Sequence, residues 1–215
     1  MQRRTALKNI GLSLGGLTLT PTVVGLLQSC QQTPAGWSPA VIPQEQYNFL
    51  TRVIDVILPT TPNVPGATDL NLMAFIDGYF DRVAAEEDKA QFLMGADIFT
   101  QVASTEAGKD TTQALTNEDI DSVLAAYFRA TPETRAAREE AFTQYLERTA
   151  EGAIAEVPVE GAVHEFLHAL RSISITAFKT NAIIGKEHLA YAPVPGQQQG
   201  CVDLQEASEG KAWAL

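Results

Sequence analysis

The sequence predicts an all-α protein: one compact domain of about six helices, between an irregular N-terminal tether and an irregular C-terminal tail. Three observations carry that reading. Apolar residues recur at three and four positions from Gln44 to about Thr180, and no segment alternates with period two for long enough to make a strand. Of the 215 residues 45% are hydrophobic, ample for one buried core at this length. Only two Pro- and Gly-bearing loops, residues 59–69 and 191–204, break the helical texture.

The first helix covers about residues 44–58. Tyr47, Leu50, Val53, Ile54, Ile57 and Leu58 share a face, and Pro43 stands where a first turn tolerates proline. In the loop that follows, Pro65 and Gly66 suit the middle of a tight turn, and Asp69 or Asn71 is a candidate cap for the next helix. That second helix carries Leu72, Phe75, Ile76, Tyr79, Phe80 and Val83. A third carries Phe92, Leu93, Ala96, Phe99 and Val102 and stops near Gly108. Thr116, three residues before Asp119, opens a fourth with a capping-box pattern, followed by Ile120, Val123, Leu124, Tyr127 and Phe128. Thr131 and Pro132 start a fifth with Phe142, Tyr145 and Leu146. The sixth, about 160–180, carries Val163, Phe166, Leu167, Leu170, Ile173, Ala177 and Phe178, and the chain is irregular after Gly185.

The first 29 residues have the layout of an export signal, basic at the start, apolar in the middle and closed by a processing site. Arg3 and Arg4, followed by Thr5, Ala6, Leu7 and Lys8, resemble a twin-arginine motif. The apolar stretch 10–27 is weakened by Gly11, Gly15, Gly16, Pro21 and Gly25, which suits a route for proteins exported already folded. Leu27, Gln28, Ser29 and Cys30 resemble a lipobox, with cleavage before Cys30 and a lipid on its sulfur. An uncleaved anchor is the other reading, because 18 residues from Ile10 to Leu27 lie at the lower edge of what spans a bilayer. Both readings place the domain outside the cytoplasm, at the periplasmic or outer face of a membrane.

Loss of residues 1–29 removes Arg3, Arg4 and Lys8 and no acid, so the net charge moves from −11 to −14. A chain this acidic is no partner for a phosphate backbone and is repelled by anionic lipid. Its membrane attachment is therefore expected through the lipid on Cys30. The expected organisation is a signal over 1–29, a tether over 30–43, a helical domain over 44–185 and a partner-binding tail over 186–215.

One motif suggests chemistry. His164, Glu165, Phe166, Leu167 and His168 match H-E-x-x-H, in which two histidines hold zinc and the glutamate activates its water, and His188 is a candidate third ligand. Against it, the sixth helix's apolar stripe centres on Val163, Leu167, Leu170 and Ser174, and the histidines fall roughly 100–140° round it, on a polar flank. No edge strand is present to hold an extended peptide. The expectation is two surface or partner-facing histidines without metal, with a zinc-dependent hydrolase as the alternative. No G-x-G-x-x-G loop occurs, and no strand–helix alternation to place one on, so no flavin is expected in this chain. Cys201 is the one thiol left once Cys30 is modified, which suits either an inter-subunit disulfide or packing as a small apolar group.

Three stretches, LPTTPNVPGATDLNLMAFID at 58–77, SISITAFKTN at 172–181 and YAPVPGQQQGCVDL at 191–204, resemble the gluconate 2-dehydrogenase subunit 3 family, with the likeness extending over about residues 44–205. The resemblance implies a small, non-catalytic, exported subunit of a large flavin-dependent dehydrogenase of the glucose-methanol-choline type. The large subunit would bind FAD and oxidise a sugar or polyol, and the small one would supply the export signal in trans, anchor the complex and stabilise it. A cytochrome is a candidate electron acceptor. Pro65, Gly66, Pro195, Gly196 and Cys201 are then expected to contact the partner, and no residue is expected to be catalytic. Lys179, where the family commonly has an aromatic, and the stretch IIGKEH at 183–188 depart from the pattern. A lipoprotein assembly or binding module unrelated to any dehydrogenase is the remaining reading.

Overall fold

The computed structural model describes residues 38–192, 196 and 201–214, and its helices follow the sequence pattern closely. They are α1 (Gln44–Ile57), α2 (Leu72–Arg82), α3 (Glu86–Glu106), α4 (Asn117–Phe128), α5 (Pro132–Ala150), α6 (Val159–Thr180) and a short α7 (Leu204–Ser208). A 3₁₀ turn (Thr112–Ala114) precedes α4, and a π-helical turn (Ile184–His188) follows α6. No helix among the described residues is long and apolar enough to cross a membrane.

The boundaries have local causes. Thr116 caps α4 through its hydroxyl, which accepts from the Asp119 N–H at 3.1 Å, while the Asp119 carboxylate accepts from the Thr116 N–H at 2.8 Å. These bonds hold the Asp119 carboxyl below the usual carboxylate range. Thr131 caps α5 in the same way, accepting from the Thr134 N–H at 3.2 Å, with Pro132 in the first turn. Past the end of α3, Gly108 takes a φ of +61°, where a side chain would be strained, and the Lys109 N–H returns to the Ser104 carbonyl.

Helix α6 is the centre of the domain and packs against α1 to α5 and the π turn. Its residues Val163, Phe166, Leu167 and Leu170 are buried together with Leu50, Val53 and Ile54 of α1. A ladder of rings runs through this core. Phe49 stacks on Phe99 at 5.5 Å, Phe99 meets Phe166 at 5.7 Å, Phe166 meets Phe92 at 5.0 Å, and Phe92 stacks on Phe80 at 4.0 Å. Each such pair adds about 0.5–1.5 kcal/mol beyond the burial of its area.

Three local expectations change. The tether does not extend to residue 43: the buried carboxylate of Asp77 on α2 accepts the backbone N–H groups of Ala40, Val41 and Ile42 at 2.7, 3.1 and 2.9 Å, and Ile42 is itself core. A negative charge out of water is stabilised by donors aimed at it, and three consecutive amides supply them. Neither Asp69 nor Asn71 caps α2 with its side chain. Asn71 occupies the cap position in left-handed conformation, φ +51°, whereas Asp69 closes its own loop by accepting from the Thr60 hydroxyl and, at 2.9 Å, from the Gly66 N–H. Those two bonds keep the Asp69 carboxyl below its ordinary range.

The tail is the third change, being less irregular than expected. Ile184 is fully buried in a π turn that runs on to His188, and Leu189 packs against the core, so ordered helical structure continues past residue 185. Asp203 caps α7, accepting from the Gln205 and Glu206 N–H groups at 2.9 and 3.2 Å. The end of the chain then returns to Ala190, whose N–H donates to the Ala212 carbonyl and whose carbonyl accepts from Ala214, each at 2.9 Å. The Ala190–Trp213 bridge so formed is isolated, and no strand occurs among the described residues.

Candidate functional site

A hollow rich in aromatic side chains lies between α2, α3 and α6, with Phe142 of α5 also in its lining. It has a volume of about 470 Å³. It exists because small residues stand at the helix contacts. Gly95 of α3 meets Phe166 of α6 so closely that a Cβ there would lie 2.6 Å from the Phe166 Cβ, and Ala162 and Ala169 leave room beside it. Phe92, Phe142 and Phe166 line the hollow as buried side chains.

Its α2 side comes from a face that sequence periodicity assigned to the core. Leu72, Met73, Ile76 and Phe80 of α2 are buried, but Phe75, Tyr79 and Val83 are 50%, 37% and 69% exposed. Helix α2 is apolar on two faces, and the fold covers one. The only charged side chains in the lining are Asp88 and Glu165, both acidic.

The H-E-x-x-H residues divide between two sides of α6. Glu165 lines the hollow, whereas His164 is 1% exposed and lies under α5, which corrects the expectation of a surface histidine. The cause is α5 itself. Its Arg138 carbonyl would lie 2.7 Å from a Cβ at Gly161, so the two helices cross at a glycine and cover the flank that a helical wheel leaves polar. His164 Nε2 is 3.4 Å from the Glu139 carboxylate, and the two histidine rings are 4.3 Å apart. His164 Nδ1 and His168 Nε2 are buried with no hydrogen-bond partner.

Burial, and after it the neighbouring His164, lower the pKa of His168, which favours its uncharged form at neutral pH. No group of three His, Cys, Asp or Glu side chains among the described residues is placed to hold a metal ion. After His168 the helix continues to Thr180, about 18 Å at 1.5 Å per residue, before the turn that carries His188. The three candidate ligands are thus not brought together.

On the same closed side, the Tyr127 hydroxyl donates to Glu160 at 3.3 Å, and Arg138 both pairs with Glu160 at 2.6 Å and covers the Tyr127 ring at 4.4 Å. Burial first, then the Glu160 charge, raise the Tyr127 pKa far above its ordinary value.

Of the expected partner contacts, Pro65 is half-buried and Gly66 is buried inside its own loop, where a Cβ would lie 2.4 Å from the Thr60 backbone nitrogen. Gly66 thus has an internal reason to be glycine. Gly196 is exposed with φ +74°, and Cys201 carries an exposed free thiol. Arg3, Arg4, Cys30 and Pro195 lie outside the described residues.

The sequence model of the family described as gluconate 2-dehydrogenase subunit 3 matches residues 44–196, from the first residue of α1 to the beginning of the tail. The chain belongs to that family. Its name describes one subunit of a dehydrogenase complex, and the match takes in α1 to α6 and with them the whole aromatic hollow. No curated protein and no solved structure matches this subunit 3 chain. Sequence reading found the family through the loop at 58–77 and the tail, but missed both Asp77 as the anchor of the entering chain and the outward face of α2. The signal for the second was present: Phe75, Tyr79 and Val83 recur at four-residue steps, one face too many for a helix covered on one side.

Proposed function

We propose that this protein is the non-catalytic small subunit of a large FAD-dependent dehydrogenase acting on a sugar or polyol, and that it exports, anchors and stabilises that subunit. The observation that carries the proposal is the family match over residues 44–196. The signal-like residues 1–30 support the export and anchoring roles: Arg3 and Arg4 as the recognition pair of a route that accepts folded, flavin-loaded cargo, and Cys30 as the lipid attachment point. FAD belongs to the partner in this reading, and electrons leave the complex to an acceptor such as a cytochrome. The exposed Cys201 thiol and the exposed Gly196 are available to the partner.

Isolation of the tagged full-length chain from detergent-solubilised membranes of its host tests the reading. A large flavoprotein with dehydrogenase activity should accompany it, and a colourless single species would remove the proposal. Arg3→Lys with Arg4→Lys should hold both subunits in the cytoplasm; a partner still exported under those conditions contradicts transport in trans. Cys30→Ala should give either a soluble protein or an uncleaved precursor, so recovery of a lipid-modified mature form would refute the lipobox.

A further inference from the structure

We propose that the aromatic hollow between α2, α3 and α6 is the seat of a segment of the flavin-dependent subunit that inserts a bulky apolar side chain flanked by lysine or arginine. The inference rests on the accessory-subunit reading and adds to it the place and chemistry of the contact. The first argument is the uncovered apolar surface. Phe75 and Tyr79, on the outer face of α2, are 50% and 37% exposed at a cavity of about 470 Å³ to whose lining six aromatic side chains contribute. Contiguous exposed apolar surface of this kind, rimmed by polar groups, marks an interaction site, and rigid aromatics are the side chains on which interface affinity concentrates.

Shape gives the second argument. The hollow is open to solvent along the face where Phe75 and Tyr79 stand, whereas a small ligand is held by burial of about 70–90% of its surface. A chain segment crossing the groove fits such an opening. The ladder of rings that ends at Tyr79, 5.4 Å from Phe80, ties this surface directly into the core, so it is rigid before a partner arrives and loses little entropy on binding.

Charge selects the occupant. Asp88 and Glu165 are the charged groups of the lining and no base accompanies them, so the arriving segment must bring the positive charge. A second copy of this chain is disfavoured, since the sequence from Cys30 on carries −14, and an anionic membrane surface is repelled for the same reason. The face of α4 provides an internal comparison. A hollow there holds Glu118 and Asp121 beside Arg129 and no aromatic side chain, so it has acids but neither the unopposed negative charge nor the apolar seat.

The test uses the tagged full-length chain produced in its host and isolated from membranes, read as flavin absorbance per small chain. Ala169→Trp fills the hollow from an exposed position on α6, and Asp88→Lys with Glu165→Lys reverses its charge; each should lower the co-isolated flavoprotein about tenfold or more. Glu118→Lys with Asp121→Lys makes the same charge change on the α4 face and should leave the yield unchanged. Circular dichroism and the thermal midpoint of each variant monitor the fold, and Ala169→Ser provides a mild variant expected to bind normally. Should the wild-type chain bring flavoprotein while both hollow variants bring as much, the docking assignment is wrong and the accessory role stands. An equal loss in the α4-face variant would also overturn it, as a general charge effect. A small molecule displaced by Ala169→Trp without loss of flavoprotein would reassign the hollow to a ligand. Absence of flavoprotein from the wild-type preparation would remove both proposals.

Discussion

The two flanks of helix α6 are built from similar residues and reach opposite ends. On one, α5 crosses at Gly161, His164 is sealed beneath it, and Tyr127, Arg138 and Glu160 close the edge with a cation over a ring and two hydrogen bonds. On the other, Glu165 and Ala169 face a hollow whose aromatic rim is left to solvent. The contrast teaches that the apolar content of a helix face does not decide whether the fold covers it. Where a neighbour can approach backbone to backbone, at a glycine, even histidines are buried; where α2 turns a second apolar face outward, phenylalanine stays exposed. The motif H-E-x-x-H straddles this divide: its histidines stand together on the side covered by α5 and its glutamate faces the hollow.

The largest expected effect tests the closed flank. Gly161→Val would place a side chain against the Arg138 carbonyl, which is backbone and cannot step aside, so a loss of about 3 kcal/mol is expected. For a domain of this size the thermal midpoint should fall by roughly 6–12 °C. At Gly78 of α2, where no atom lies within 4 Å of a built Cβ, Gly→Ala should instead raise stability by about 0.5–1 kcal/mol. Comparable midpoints for the two variants would show that α5 is not seated on α6 as described.

An intermediate effect is expected from pH. His168 is surrounded by His164 and Arg171 of its own helix and by Arg135 and Glu139 of α5; burial, His164 and the two arginines disfavour its proton, and Glu139 alone favours it. Its pKa in the folded protein thus lies below that of the unfolded chain, near 6.5. On acidification the unfolded chain takes up the proton first, so the stability contributed by neutral His168 is present above about pH 6.5 and lost as the pH falls below it. Thermal midpoints measured between pH 7.5 and about pH 5.5 should therefore decline less in His168→Gln than in the wild type. Parallel declines would mean that the flank is wetter than the geometry indicates.

The smallest effect belongs to the open flank. Phe75→Ser should change the stability of the isolated protein by less than about 1 kcal/mol, because half of the ring already meets water. A loss of several kcal/mol in chemical denaturation would place Phe75 in the core after all and erase the distinction between the two flanks.

Much of this was legible in the chain itself. Thr116 with Asp119, Thr131 with Pro132, and Gly108 begin and end helices in the structure where they do in the sequence, because caps act on amides within one turn and need no distant partner. The loop 58–77, which carried part of the family resemblance, is held by contacts among its own residues, Thr60 with Asp69 and Asp69 with Gly66. What stayed hidden depended on residues far apart. Asp77 gathers amides that are 35 to 37 positions away, and nothing in its neighbourhood announces them.

The sequence by itself thus determined the helices, their ends, the acidic charge and the family, all of which follow from periodicity, composition or local hydrogen bonding. Only the tertiary structure decided which apolar faces are core. Periodicity measures the angle between residues on one helix, whereas burial depends on how many neighbours surround that helix and how closely their backbones approach. Helix α6 has neighbours on several sides and hides His164; α2 has too few to cover Phe75, Tyr79 and Val83. That difference in coverage, with α5 crossing closely at Gly161 on one side and no helix among the described residues over the outer face of α2 on the other, leaves Phe75, Tyr79 and Val83 exposed.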